Sequence, residues 1–164
     1  MDLCILRHGE AGARIAIPLK DSERALTFAG RKEIEDISKC FRELNLKFDR
    51  IITSPLKRAH DTAMIVADEL ENENLEDWDE LKPEGSRADL YRRLAKFKQD
   101  SVILLCGHEP YLSTLIGDVI GSNGSAKISL KKGGVAKIRV KTFVPKPSGE
   151  LRWLLTPRLL RKIR

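Results

Sequence analysis

Arg7-His8-Gly9-Glu10 follows directly on the apolar run Leu3-Cys4-Ile5-Leu6, and much later Gly107-His108-Glu109 follows on Val102-Ile103-Leu104-Leu105-Cys106. Each run has the length of a buried strand, and each delivers a histidine at its C-terminal end. In an open α/β sheet that edge is where ligands bind. If both strands lie in one parallel sheet, His8 and His108 meet in one pocket. A third run, Phe48 to Ile52, ends in Thr53-Ser54-Pro55, and Lys57-Arg58 sits one turn into the helix that Pro55 would start.

Gathered together, Arg7, Arg58, His8 and His108 form a cationic cluster that needs an anion to offset it. A forked guanidinium matches phosphate oxygens two at a time. The helix N-terminus at Pro55 offers oriented N–H groups as well. The inference is a phosphate-binding pocket. Neutral imidazole is a nucleophile toward phosphorus at cellular pH. A second histidine, if protonated, would hold a phosphoryl oxygen and stabilise developing charge. Gly9 would leave room beside the nucleophile by lacking a Cβ. Ser54 either donates to phosphate or caps the helix. Glu10 and Glu109 either orient the histidines or are solvated loop acids, and His60 lies on a helix surface or at the pocket rim.

The elements that must position these groups follow from periodicity. Leu3–Leu6, Phe48–Ser54 and Val102–Cys106 are predicted strands. Thr27 caps a helix carrying Ile34, Ile37, Phe41 and Leu44 at spacings of three and four. Ala59, Ala63, Val66, Ala67 and Leu70 mark a second helix, residues 87 to 97 a third, and Leu112, Leu115, Ile116 and Val119 a fourth. Residues 9 to 22 and the acidic stretch from Glu71 to Asp79 are predicted connections, and Gly121-Ser122-Asn123-Gly124 a turn. Ala126–Leu130, Val135–Val140 and Leu151–Leu155 are predicted strands, the first two joined through Gly133-Gly134. The expected fold is a single α/β domain spanning 1–164, a three-layer α/β/α sandwich with a mostly parallel central sheet and an antiparallel edge.

The order Leu6-Arg7-His8-Gly9-Glu10, Thr53-Ser54-Pro55-Leu56-Lys57-Arg58-Ala59-His60-Asp61-Thr62-Ala63 and Gly107-His108-Glu109-Pro110 resembles the signature of the histidine phosphatase superfamily. Gly133-Gly134-Val135-Ala136 and Trp153-Leu154-Leu155-Thr156-Pro157, with the short chain, are most similar to its SixA-type phosphohistidine phosphatases. The resemblance runs from residue 3 to about residue 160 and implies a phosphoglycerate-mutase-like fold. It also implies that His8 is the nucleophile and is transiently phosphorylated. Arg7, Arg58 and His108 would hold the phosphoryl oxygens, and water would hydrolyse phospho-His8 without a metal or other cofactor. Larger members use an acid to protonate the leaving group. Glu80 is the candidate here and Glu84 the second. A departing imidazole needs less help than an alkoxide, so a weak match at that position fits a phosphohistidine substrate on a protein.

Chain length favours the same substrate. Only 45 residues lie between His8 and Ser54, and 45 between Thr62 and His108. A helix and its loops use most of each interval, leaving little for a lid.

Composition excludes other classes. No apolar run reaches the ~20 residues of a membrane span, and the start lacks a secretory signal pattern, so a cytoplasmic protein with no membrane partner is expected. Cys4, Cys40 and Cys106 form no C-x-x-C pair. Cys4 and Cys106 lie in apolar runs as small hydrophobes. The three histidines show no metal-ligand spacing, and two arginines would repel a divalent cation, which argues against a metallohydrolase. Residues 127–164 carry net charge +11 and residues 1–126 carry −5. A basic C-terminal third without a nucleic-acid motif points to a solvated surface rather than a nucleic-acid site. The alternatives are a phosphomonoesterase for a small phosphorylated metabolite and a non-catalytic basic binding module.

Overall fold

Strands β1 (Asp2–Arg7), β2 (Arg50–Thr53), β3 (Leu75–Asp77), β4 (Val102–Gly107), β5 (Val135–Thr142) and β6 (Ser148–Leu155) hydrogen-bond into one sheet, ordered β3-β2-β4-β1-β5-β6. This computed structural model describes residues 1–14, 21–121 and 126–163. Neighbouring strands among β3, β2, β4 and β1 pair in parallel, while β5 joins β1, and β6 joins β5, antiparallel. The expected mostly parallel sheet with an antiparallel edge is what forms. Among the described residues no helix is long and apolar enough to cross a membrane.

Helices α1 (Phe28–Glu43), α2 (Lys57–Glu69), α3 (Arg87–Leu94), α4 (Tyr111–Val119) and α5 (Pro157–Ile163) cover both faces. Side-chain alternation in the central strands sends Leu3, Ile5, Ile103 and Leu105 into a core with α3 and α4. Cys4, Leu6, Leu104 and Cys106 enter the opposite core, with Ile34, Ile37 and Phe41 of α1, Ala59, Ala63 and Val66 of α2, and Leu160 of α5. Thr27 caps α1 as its sequence predicts, its side chain accepting the Gly30 N–H. All three cysteines are buried thiols, and burial pushes those of Cys4 and Cys106 up to about 12, which makes them packing groups.

Four sequence expectations are corrected. Ala126–Leu130 is not a strand; it is irregular chain that ends in buried Leu130. The hairpin joins β5 to β6 around residues 143 to 147, and not through Gly133-Gly134. Part of the acidic connection forms the short edge strand β3, and α5 follows β6 unforeseen. Both additions are short and take their order from their neighbours. The expected loop at 15 to 20, and Ser122 to Gly124 of the expected turn, lie outside the described residues.

Candidate active site

The β1–β4 ladder ends with Arg7 opposite Gly107, so His8 and His108 leave the sheet side by side. The His8 N–H donates to the Gly107 carbonyl at 3.0 Å. The two imidazole centroids lie 5.1 Å apart, their planes tilted by 55°. On the other flank of β4, Thr53 pairs with Cys106, which places Ser54 beside His108. Its Oγ lies 2.8 Å from His108 Nε2 and also accepts the Leu56 N–H at 3.3 Å. These matched strand ends are what the two histidine motifs predict.

His8 Nδ1 lies 2.7 Å from the Gly9 carbonyl. A carbonyl only accepts, so Nδ1 carries the proton and Nε2 keeps its lone pair. Gly9 serves this turn differently from the expected phosphoryl clearance. A Cβ on it would stand 2.7 Å from Ile34 Cγ1, so the missing side chain lets α1 pack against the turn. The Gly9 N–H donates to Thr62 Oγ1 at 3.1 Å, and that hydroxyl donates to the Arg58 carbonyl at 2.7 Å. Thr62 thus ties the His8 turn to the first turn of α2. Gly133 and Gly134 brace the end of β1 from the far side. The Gly133 N–H bonds the Arg7 and His8 carbonyls, and the Gly134 carbonyl accepts the Arg7 N–H. Gly133 does so at φ +66, a conformation in which a Cβ is disfavoured.

A cavity of about 830 Å³ opens over this edge. Arg7, His8, Arg58 and His108 line it, as do Arg14, Asp21, Arg24, Glu84 and Glu109. His8, Arg58 and His108 are buried at its floor, while Arg14, Glu84 and Pro110 are exposed at its mouth. Leu56 and Pro110, the residues preceding α2 and α4, also line it, so two helix N-termini open on the cavity. Arg7 Nη1 donates to the Leu130 carbonyl at 2.9 Å, and Arg58 Nη1 to the Asp21 carbonyl at 3.1 Å. Arg7 Nε, Arg58 Nε and His108 Nδ1 are buried and lack a hydrogen-bond partner among the described residues. Leaving three such groups together is costly unless a polar ligand engages them.

Burial lowers the His8 imidazole to about 4, opposed by the Gly9 carbonyl and assisted by Arg58, Arg7 and Arg24. Burial first, then His8, Arg58, Arg24 and Arg7, push His108 down to about 2. Both rings are therefore neutral at pH 7. The pocket's positive charge resides on guanidiniums and not on the protonated second histidine that the sequence suggests.

Several sequence candidates lie elsewhere. Glu80 does not line the cavity; both carboxylate oxygens accept from Arg93 Nη1 at 2.8–2.9 Å, and Arg93 stacks 3.5 Å above Trp78. Glu84, the second candidate, does line it. Ser54 is fully buried against His108 and acts on that ring rather than lining the cavity. Glu10 is exposed near Lys132, and His60 bonds Asp77. Arg14, Asp21, Ser22 and Arg24 escape motif reasoning because they sit in or next to an aperiodic loop. The available signal was two arginines flanking the stretch that follows the first histidine motif. Among the described residues no three His, Cys, Asp or Glu side chains gather as a metal site requires.

Residues 3–85 match the histidine phosphatase superfamily (branch 1). The chain belongs to that superfamily. An uncharacterized protein of Picosynechococcus sp. is 30% identical over 141 residues, 85% of each chain. The structure of the protein histidine phosphatase SixA complexed with tungstate superposes with a TM-score of 0.83 at 24% identity, covering 98% of this chain and 99% of that one. A phosphoserine phosphatase mutant from Entamoeba histolytica, in complex with phosphoserine, gives 0.71 at 16% identity over 96% and 98%. The fold is thus that of the phosphoglycerate-mutase-like histidine phosphatases, and the chain is a phosphatase of this superfamily.

Proposed function

We propose that this phosphatase removes the phosphoryl group from phosphohistidine in a protein, through a covalent intermediate on His8. The observation that carries the reading is the fixed tautomer of His8, which leaves Nε2 its lone pair in a cavity that Arg7, Arg58 and His108 also line. Nε2 attacks phosphorus, the substrate's P–N bond breaks, and its electron pair passes to the departing ring. Arg7 and Arg58 hold the phosphoryl oxygens, with His108 as a neutral hydrogen-bonding group aligned by Ser54. Water then attacks phospho-His8, releasing phosphate and restoring the imidazole.

Three further observations support a protein-borne phosphohistidine. The mouth residues are exposed, so a phosphoryl group on a surface side chain has access. Glu80, the sequence candidate for the leaving-group acid, is held by Arg93, and an imidazole leaving group needs less from an acid. The SixA structure, similar in fold, carries tungstate, an oxyanion. The arginines supply the charge that a metal ion would otherwise supply, so turnover is expected to persist in chelator. A second reading, hydrolysis of a small phosphomonoester, draws on Glu84 at the cavity and on the fold's likeness to phosphoserine phosphatase.

Side-by-side hydrolysis of a phosphohistidine protein and a panel of phosphomonoesters distinguishes the two. The expected result is faster turnover of the phosphoprotein and an acid-labile phosphoenzyme that His8→Ala abolishes. Wild-type-like turnover by His8→Ala would overturn the mechanism, and a preference for esters would overturn the substrate.

A further inference from the structure

We infer that two carboxylates beside the arginine-rich floor, Glu84 and Glu109, select a phosphoryl compound whose leaving group is cationic; this rests on the phosphatase reading above. Arg7, at the end of β1, has its Nη1 on the carbonyl of Leu130 from the core of α3 and α4, while Arg58 of α2 has Arg24 and Arg14 as charged neighbours on the α1–α2 side. The acid on that side, Asp21, is drawn to arginine, 2.9 Å from Arg24 Nε and 3.5 Å from Arg58 Nη1. On the opposite side stand Glu84 and Glu109. Glu84 follows Leu81, which is buried in the core of α3 and α4, and Glu109 lies two residues before α4. One oxygen of Glu109 is fixed by the Ser113 N–H at 3.1 Å. Among the described residues neither Glu84 nor Glu109 forms an ion pair, although the cavity they share is rich in arginine. The buried, unpartnered Arg58 Nε and His108 Nδ1 mark the floor beneath them as built for a ligand.

An entering phosphoryl group is drawn to Arg7 and Arg58 at the floor, which leaves its leaving group toward the two carboxylates. An anionic leaving group meets repulsion there, and a cationic one attraction. A phosphohistidine ring protonated on its free nitrogen is such a cation. When His8 Nε2 bonds to phosphorus and the P–N bond breaks, the electron pair neutralises that ring, which departs as imidazole. Without the proton it would have to leave as imidazolate. Carboxylates at the mouth hold the proton on the ring until the bond breaks, without transferring one themselves.

The test uses two small probes of opposite charge, phosphoethanolamine and 3-phosphoglycerate, beside the phosphohistidine protein. Each is measured as kcat/KM or as competitive inhibition, for wild type, Glu84→Gln, Glu109→Gln and the double variant. Wild type is expected to favour phosphoethanolamine by about tenfold or more, with the double variant losing most of that ratio. It should weaken on the cationic probe and the phosphoprotein and improve on the anionic one. A parallel fall on both probes, as a general acid or a structural residue would give, overturns the inference, as does an unchanged ratio. If the charge ratio holds while phosphohistidine is not cleaved, the substrate proposed above fails and the selection for a cationic leaving group stands. If phosphohistidine is cleaved and the ratio is flat, the reverse holds.

Discussion

Acidification forces protons onto two imidazoles that the fold holds neutral, and the cost can be worked out for His8. Its ordinary value is 6.5 and the buried site lowers it to about 4. Between those values the unfolded chain binds a proton that the folded chain refuses, so stability is full above 6.5 and falls with pH. By pH 4.5 the linkage removes about 2 kcal/mol relative to pH 7, approaching about 3 kcal/mol as pH falls through 4. For a protein of this size about 2 kcal/mol lowers Tm by roughly 4–8 °C. His108, lowered further and only 5.1 Å away, acts in the same direction. Urea unfolding followed by tryptophan fluorescence at pH 7, 5.5 and 4.5 would compare wild type with His8→Gln. The variant should lose about 2 kcal/mol less over that range, because the acid sensitivity of the carboxylates is common to both and cancels. Parallel stability curves for the two proteins would refute a buried neutral His8.

Gly9→Ala places a methyl 2.7 Å from Ile34 Cγ1 and 3.2 Å from the Gly30 carbonyl, and should cost about 1–3 kcal/mol of stability, read as a lower urea midpoint. Combined with Ile34→Ala, which removes Cγ1, it should cost less than the sum of the two single losses; simple additivity would argue that the strain lies elsewhere. Glu80→Gln should cost about 1 kcal/mol through its contact with the half-exposed Arg93 while sparing most of kcat. A fall in kcat of about a hundredfold would instead make Glu80 the leaving-group acid.

The parts of the site legible in the sequence are those carried by strand ends. Arg7, His8 and His108 each follow an uninterrupted apolar run, so a run of strand length and its stop sufficed to put them at strand ends, and one parallel sheet brings those ends to one edge. Arg58 was legible because Pro55 announces a helix. Arg14 and Arg24 were not, since a loop has no period and its path is set by tertiary contacts such as the Arg24 bond to the Gly12 carbonyl at 3.0 Å. Glu80 misleads for a related reason. Sequence proximity to the right segment says nothing about direction, and its carboxylate is claimed by Arg93 from the neighbouring α3. The protonation of His108 is also invisible in sequence, because it depends on burial and on three arginines brought from separate segments. Gly133-Gly134 looks like a hairpin turn locally, and only the partner strand shows that it braces β1.

The register of β1 also sets the order in which the protein can be built. Leu3 pairs with Ile103 on one side and Ile138 on the other. At about 5–20 residues per second, a ribosome needs roughly 5–30 s after β1 emerges to supply both partners. Until β4 and then β5 follow, the apolar strand that leads into His8 lacks at least one of its two neighbours. The edge that bears His8 and His108 is therefore among the last parts to form, and a chain truncated before β5 leaves β1 with an open edge that invites pairing with another copy. Phosphatase activity in a nascent or shortened chain should thus arrive all at once, when the antiparallel half of the sheet closes over the strand that was made first.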